Sequence, residues 1–171
     1  RKRIGDDVAL MVDYNQALAL DDALVRGRAL DAENIYWLEE PIRHDDYVGT
    51  AKLARELKVP IQIGENFSGV YQMVDSLNLR ASDFVMPDLQ RIGGVSGWLR
   101  AITLAQSRGI RVSNHLWPEI SAQLLCVTPT AHWLEYADWW NAIVADPLVV
   151  TDGQASFDGV IGSGIEWSGK A

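Results

Sequence analysis

A chain of 171 residues, 48% hydrophobic and 22% charged, has the size of one folded domain and enough apolar material for a core, which excludes a disordered or fibrous polymer. A net charge of -8, with no cluster of Lys and Arg interleaved with aromatics, excludes nucleic acid and anionic membrane surfaces as partners. The single Cys126, in the apolar run Ala-Gln-Leu-Leu-Cys-Val-Thr, has no partner for an internal disulfide and reads as a buried small hydrophobe in a reducing compartment. The opening Arg-Lys-Arg-Ile-Gly-Asp-Asp is charged and no apolar run approaches about 18 residues, so neither export nor membrane insertion is expected, and the cytoplasm is the expected location.

In chain order, short apolar runs and helical patterns alternate. Strands are expected at Val8 to Asp13, Ile35 to Glu39, Ile61 to Glu65, Asp83 to Asp88, Ile110 to His115 and Trp133 to Glu135. Most are continuously apolar, as parallel strands covered on both faces are. Helices are expected at Asp22 to Ala32, Tyr47 to Leu57, Val70 to Leu77, Val95 to Ser107 and Glu119 to Val127. Asp21 and Asp22 signal one helix start and Asp45 and Asp46 another, while Gly109 is placed to end the fourth helix in the left-handed conformation. Pro60 stands at a strand entrance, where a missing N–H is tolerated. Gly93, Gly94 and Gly97 lack the spacing of a phosphate loop and read as a tight strand-to-helix turn. From Asp138 to Ala171 the chain is rich in Gly, Asp and Trp and reads as irregular structure with short strands.

Each strand run ends on a polar residue: Asp13, Glu39, Glu65, Asp88, His115 and Glu135, at intervals of about 20 to 27 residues. That recurrence is the length of a βα unit, so the expected class is α/β with a parallel sheet. In a (β/α)8 barrel the C-terminal strand ends form one rim, which gathers these six side chains at one mouth. Six strands are visible where a closed barrel needs eight. Asp13, Glu39 and Glu65, on three consecutive strand ends, would converge as oxygen ligands suited to Mg²⁺. Asp88 and His115, on the next two, are close enough for the carboxylate to orient the imidazole as a base. Glu135, if protonated, would donate a hydrogen bond to an oxyanion. His44 reads as solvated, His132 as a packing or capping residue, and Trp117 as a wall of the pocket.

The segments Val-Asp-Tyr-Asn-Gln (Asp13, Asn15), Trp-Leu-Glu-Glu-Pro (Glu39), Gly-Glu-Asn (Glu65), Met-Pro-Asp-Leu-Gln-Arg-Ile-Gly-Gly (Asp88), Ser-Asn-His-Leu-Trp-Pro-Glu-Ile-Ser (His115) and Pro-Thr-Ala-His-Trp-Leu-Glu (Glu135) together resemble the enolase superfamily, and most closely its mandelate racemase subgroup. The resemblance implies that Asp13, Glu39 and Glu65 bind Mg²⁺, that His115 backed by Asp88 is a base on one side of a substrate α-carbon, that Glu135 hydrogen-bonds the substrate carboxylate, and that Asn15 lies near the substrate. It also implies a second base from a Lys-x-Lys pair and a separate capping domain. The chain's four lysines, Lys2, Lys52, Lys58 and Lys170, do not match that pair. Residues 1–171 are therefore expected to be a partial (β/α)8 barrel, strands three to eight of the family barrel, without the capping domain and the first two strands.

The expected function is abstraction of the α-proton from a small-molecule carboxylate, a 2-hydroxy acid or acid sugar, with racemisation as the first outcome. An acid-sugar dehydratase is the alternative within enzymes, and a truncated, non-catalytic fragment is the alternative outside them. Two open parallel edges would favour association, so a homo-oligomer is expected.

Overall fold

The computed structural model describes residues 1–157 and 159–169. Asp158, Lys170 and Ala171 lie outside them. Strands and helices alternate through the first five units: β1 (Met11–Asp13), α1 (Leu20–Leu30), β2 (Trp37–Glu39), α2 (Tyr47–Glu56), β3 (Ile61–Ile63), α3 (Val70–Leu79), β4 (Phe84–Val85), α4 (Gly94–Ser107), β5 (Arg111–Val112) and α5 (Pro118–Cys126). The five strands form one parallel sheet in sequential order, with Met11 opposite Trp37, Asp13 opposite Glu39, Leu38 opposite Ile61, Ile63 opposite Val85, and Val85 opposite Val112. Parallel neighbours joined by helices bring all the C-terminal strand ends to one side. Among the described residues no helix is long and apolar enough to cross a membrane.

The core lies between the sheet and the helices. Leu38, Ile61, Ile63, Val85 and Val112 face Leu24, Leu53, Met73, Leu77, Trp98 and Ile102. In α4 the buried positions Gly97, Trp98, Ala101, Ile102 and Ala105 recur at helical spacing, which defines one apolar stripe. Trp98 is 0% exposed, and its indole N–H donates to Thr128 Oγ1 at 3.2 Å. The turn into α4 needs its glycines: Gly93 and Gly94 have φ of 103° and 67°, so two successive residues occupy the left-handed region.

Local signals account for several boundaries. Asp46 caps α2 by accepting the N–H of Gly49 at 2.8 Å, and Gly109, at φ 66°, follows the end of α4. The α1 start differs from expectation. Its N-cap is Ala19, and Asp21 and Asp22 lie inside the first turn, where carboxylates favour the helix N-terminus by charge rather than as caps. The strands are also shorter than the apolar runs: β1 begins at Met11 and β5 ends at Val112. Cys126 is exposed, not buried: it is the last residue of α5, one turn beyond the buried Ala122.

Trp133 to Glu135 does not form the expected sixth strand. The parallel ladder continues past β5 only as a bridge between Val112 and Ala131, with Val112 N–H donating to Thr130 O and His132 N–H to Val112 O, both at 2.9 Å. Beyond it side chains replace the ladder. Trp133 N–H donates to Ser113 Oγ at 3.3 Å, Glu135 N–H to Asn114 Oδ1 at 2.7 Å, and Asn114 Nδ2 to Glu135 O at 3.1 Å. The C-terminal segment then forms a two-stranded antiparallel hairpin, β6 (Val149–Thr151) and β7 (Gln154–Ser156), turning at Asp152–Gly153.

Candidate active site

Register places the first two carboxylates side by side, because Asp13 and Glu39 are direct partners on neighbouring strands. Asp13 is exposed and accepts the N–H of Asn15 at 2.6 Å, a local turn that Asn15 supports with a φ of 45°. Glu39 is 8% exposed, and its Oε2 accepts from Trp37 Nε1 at 2.9 Å and Gln62 Nε2 at 3.1 Å. Burial, joined by repulsion from Asp13 and Glu135, pushes its carboxyl up to about 7 against those two hydrogen bonds.

Glu65 follows β3 by way of Gly64, whose φ is 138°. A Cβ there would come within 2.9 Å of the Phe67 ring and 3.0 Å of the Met86 backbone N, so only glycine lets the chain turn Glu65 onto the rim this close to the next strand. Its Oε1 accepts from Asn66 Nδ2 at 3.1 Å, and its Oε2 lies 3.5 Å from His115 Nε2.

The expected dyad is formed. His115 Nδ1 and Asp88 Oδ2 are 2.9 Å apart, and Asp88 and His115 also pair as a parallel bridge. Asp88 is 4% exposed; its Oδ2 also accepts from Trp117 Nε1 at 3.3 Å and its Oδ1 from the Arg91 N–H at 2.9 Å. Burial pushes Asp88 upward, but the bonds from His115 and Arg91 outweigh it and hold the carboxyl below its ordinary value. Burial likewise disfavours the imidazolium of His115, yet Asp88, Glu65 and Glu135 together raise its pKa above the usual histidine value. The backbone after it is strained: Leu116 and Trp117 have φ of 50° and 52°. Glu135 accepts the Leu116 N–H through Oε2, so the last expected rim residue fastens this turn. Trp117 stacks on Trp140 at 5.3 Å and stands beside the dyad as expected.

Two histidines lie apart from this cluster. His44 is half-buried rather than solvated, with its Nδ1 and its backbone N–H both at Gln16 Oε1, 2.9 and 3.0 Å away. His132 packs against Phe84 at 4.8 Å and bonds the Tyr36 hydroxyl at 2.6 Å, in agreement with a packing role. The inner face of the sheet holds a cavity of about 230 Å³ bounded in part by Asp13, Trp37, Glu39, Gln62, Met86 and Glu135.

Three residues of the mouth were not anticipated. Glu40 is 1% exposed, and burial together with Glu65 and Asp13 pushes it up to about 7, although Asn66 Nδ2 bonds both its oxygens at 3.1 and 2.9 Å. Its φ of 34° places it off the regular alternation of the strand, so its neighbour Glu39 and it both end up buried near the rim. Arg91 Nη1 donates to Asn66 Oδ1 at 2.8 Å and to the Glu65 carbonyl at 3.1 Å. The sequence signal for the group was the Glu-Glu pair and the Asn after Glu65; nothing local marked Arg91.

Among the described residues no three His, Cys, Asp or Glu side chains are already close enough together to hold an ion. The donor chemistry nonetheless fits a hard divalent cation. Asp13, Glu39 and Glu65 come from three adjacent strand ends, all offer oxygen, and the mutual repulsion felt at Glu39 is of the kind such an ion relieves.

A family model described as enolase C-terminal domain-like matches residues 1–171. An enolase from Bradyrhizobium, solved in complex with magnesium and mandelic acid, superposes with a TM-score of 0.94 and 40% identity, over 98% of this chain and 46% of that one. The L-talarate/galactarate dehydratase of Salmonella typhimurium is 35% identical over 154 residues, 90% of this chain and 39% of that protein. The N-succinylamino acid racemase of Amycolatopsis is 35% identical over 112 residues, 66% of this chain and 30% of that protein. The chain thus spans less than half the length of each.

Proposed function

The chain belongs to the enolase C-terminal domain-like family, and from that premise we propose that residues 1–171 are the C-terminal portion of a (β/α)8 barrel domain, corresponding to its strands three to eight, whose rim removes the α-proton of a carboxylate substrate. The substrate class is a 2-hydroxy acid or an acid sugar. The observation that carries this reading is the dyad: His115 Nδ1 is held by Asp88 at 2.9 Å, while Nε2 stands 3.5 Å from Glu65 among the rim carboxylates.

In the proposed step the substrate C–H bond breaks, the proton goes to His115 Nε2, and the electron pair moves toward the substrate carboxylate. Asp88 accepts the Nδ1–H and so keeps the lone pair on Nε2. Glu135, when protonated, donates a hydrogen bond to the carboxylate as its charge grows, and Asn15 contacts the substrate. Asp13, Glu39 and Glu65 are the proposed holders of Mg²⁺. When bound, Mg²⁺ supplies neutralisation of the negative charge that develops on the substrate.

Two outcomes share this step. Racemisation needs a base on the opposite face to return a proton. Dehydration needs no second base, because the β-hydroxyl leaves as water with the proton taken up by His115, and the extensive match to the Salmonella dehydratase favours it as the second reading. The test is incubation of the purified chain with Mg²⁺ in D₂O with mandelate or galactarate, followed by proton NMR. Loss of the α-proton signal that disappears in His115→Asn is expected, and 2-keto acid formation from galactarate would select dehydration. Exchange that survives His115→Asn would end the reading.

A further inference from the structure

We infer that Arg91 is a positioning residue that sets the orientation of the Glu65 carboxylate through the side-chain amide of Asn66, an inference that rests on the reading of Glu65 as a metal ligand. A guanidinium can only donate, so the atom of Asn66 that Arg91 meets at 2.8 Å must be the carbonyl oxygen. That choice turns the Asn66 NH₂ toward the two carboxylates, where it bonds Glu65 Oε1 at 3.1 Å and both oxygens of Glu40. The reversed amide would aim its oxygen at two buried acids.

Arg91 is also fixed at its own backbone. Its N–H is held by Asp88 Oδ1 at 2.9 Å and its carbonyl accepts the Gly69 N–H at 2.9 Å. One residue therefore ties the loop that carries Glu65 to the loop that carries the dyad acid, and Nη1 further grips the Glu65 carbonyl at 3.1 Å. The charge of Arg91 pulls the other way. Its guanidinium lies 3.8 Å from Glu65 Oε1, so by charge alone it repels a cation bound there and its removal would tighten metal binding. Positioning predicts the opposite sign, which separates the two roles.

The experiment is titration of the 171-residue chain with Mn²⁺ followed by EPR, in wild type, Glu65→Gln, Arg91→Met and Arg91→Lys, with a thermal melt of each. Glu65→Gln should abolish or strongly weaken binding. Arg91→Met should weaken it by about tenfold or more, the usual effect of removing a group that orients a metal ligand. Arg91→Lys should fall between, since an ammonium keeps the charge but not the planar fork. Affinity in Arg91→Met equal to or tighter than wild type, with Glu65→Gln impaired, would overturn the inference and leave the metal reading standing. Mn²⁺ binding that is absent in wild type, or indifferent to Glu65→Gln, would overturn both. Should Arg91→Met fail to fold, Arg91→Lys decides: weaker binding supports positioning, and wild-type affinity overturns it.

Discussion

His132 should make the fold sensitive to acid in a window set by one ring. Its Nε2 meets the Tyr36 hydroxyl at 2.6 Å and Arg111 Nη1 at 3.5 Å, and its Nδ1 is buried without a partner. Burial first, then the Arg111 charge, pushes its pKa down to about 4 from 6.5. The unfolded chain therefore takes up a proton below pH 6.5 that the folded chain refuses until about pH 4. Stability contributed by the neutral ring is complete above pH 6.5 and falls between pH 6.5 and 4. At about 1.4 kcal/mol per pH unit the full difference is about 3.5 kcal/mol, and screening at a half-buried ring reduces it to roughly 1–2 kcal/mol. The assay pairs NMR titration of the His132 ring with urea melts of wild type and His132→Gln across that range. The stability gap between the two proteins should shrink by roughly 1–2 kcal/mol from pH 7 to pH 4. A ring that titrates near its ordinary value, or a gap independent of pH, would refute the reasoning.

Trp98→Ala removes a fully enclosed indole and its bond to Thr128, and should cost about 3–5 kcal/mol in urea unfolding; a loss below about 1 kcal/mol would show that α4 is not packed as described. Asp88→Asn should lower α-deuterium incorporation about a hundredfold or more, because the Asn amide can donate to Nδ1 and shift the imidazole proton onto Nε2, where the base needs its lone pair. Retained exchange in that variant would remove Asp88 from the proposed step.

How much of this was legible depends on the range of each determinant. Apolar runs and turn residues act locally, so helices α2, α3 and α4 fall close to their expected spans and Asp46 and Gly109 cap as read. The α1 boundary slipped because two aspartates near a helix start serve as well inside the first turn as at its cap.

The chain order of βα units by itself determined that Asp13, Glu39, Glu65, Asp88 and His115 would belong to one end of a parallel sheet. Each follows an apolar run, and parallel strands joined by helices must end on the same side. Only the tertiary structure decided which partners those side chains have. Ser113 and Asn114 displace backbone pairing at Trp133 to Glu135, so a run that reads as a strand is held by side chains instead. Glu40 and Arg91 enter the mouth through a left-handed backbone and a loop contact spanning two βα units; the Glu-Glu pair hints at the first, and nothing local marks the second. The difference is physical: propensity and capping are settled within a few residues, whereas burial of a charge and its compensation are settled by neighbours distant in the chain and adjacent in space.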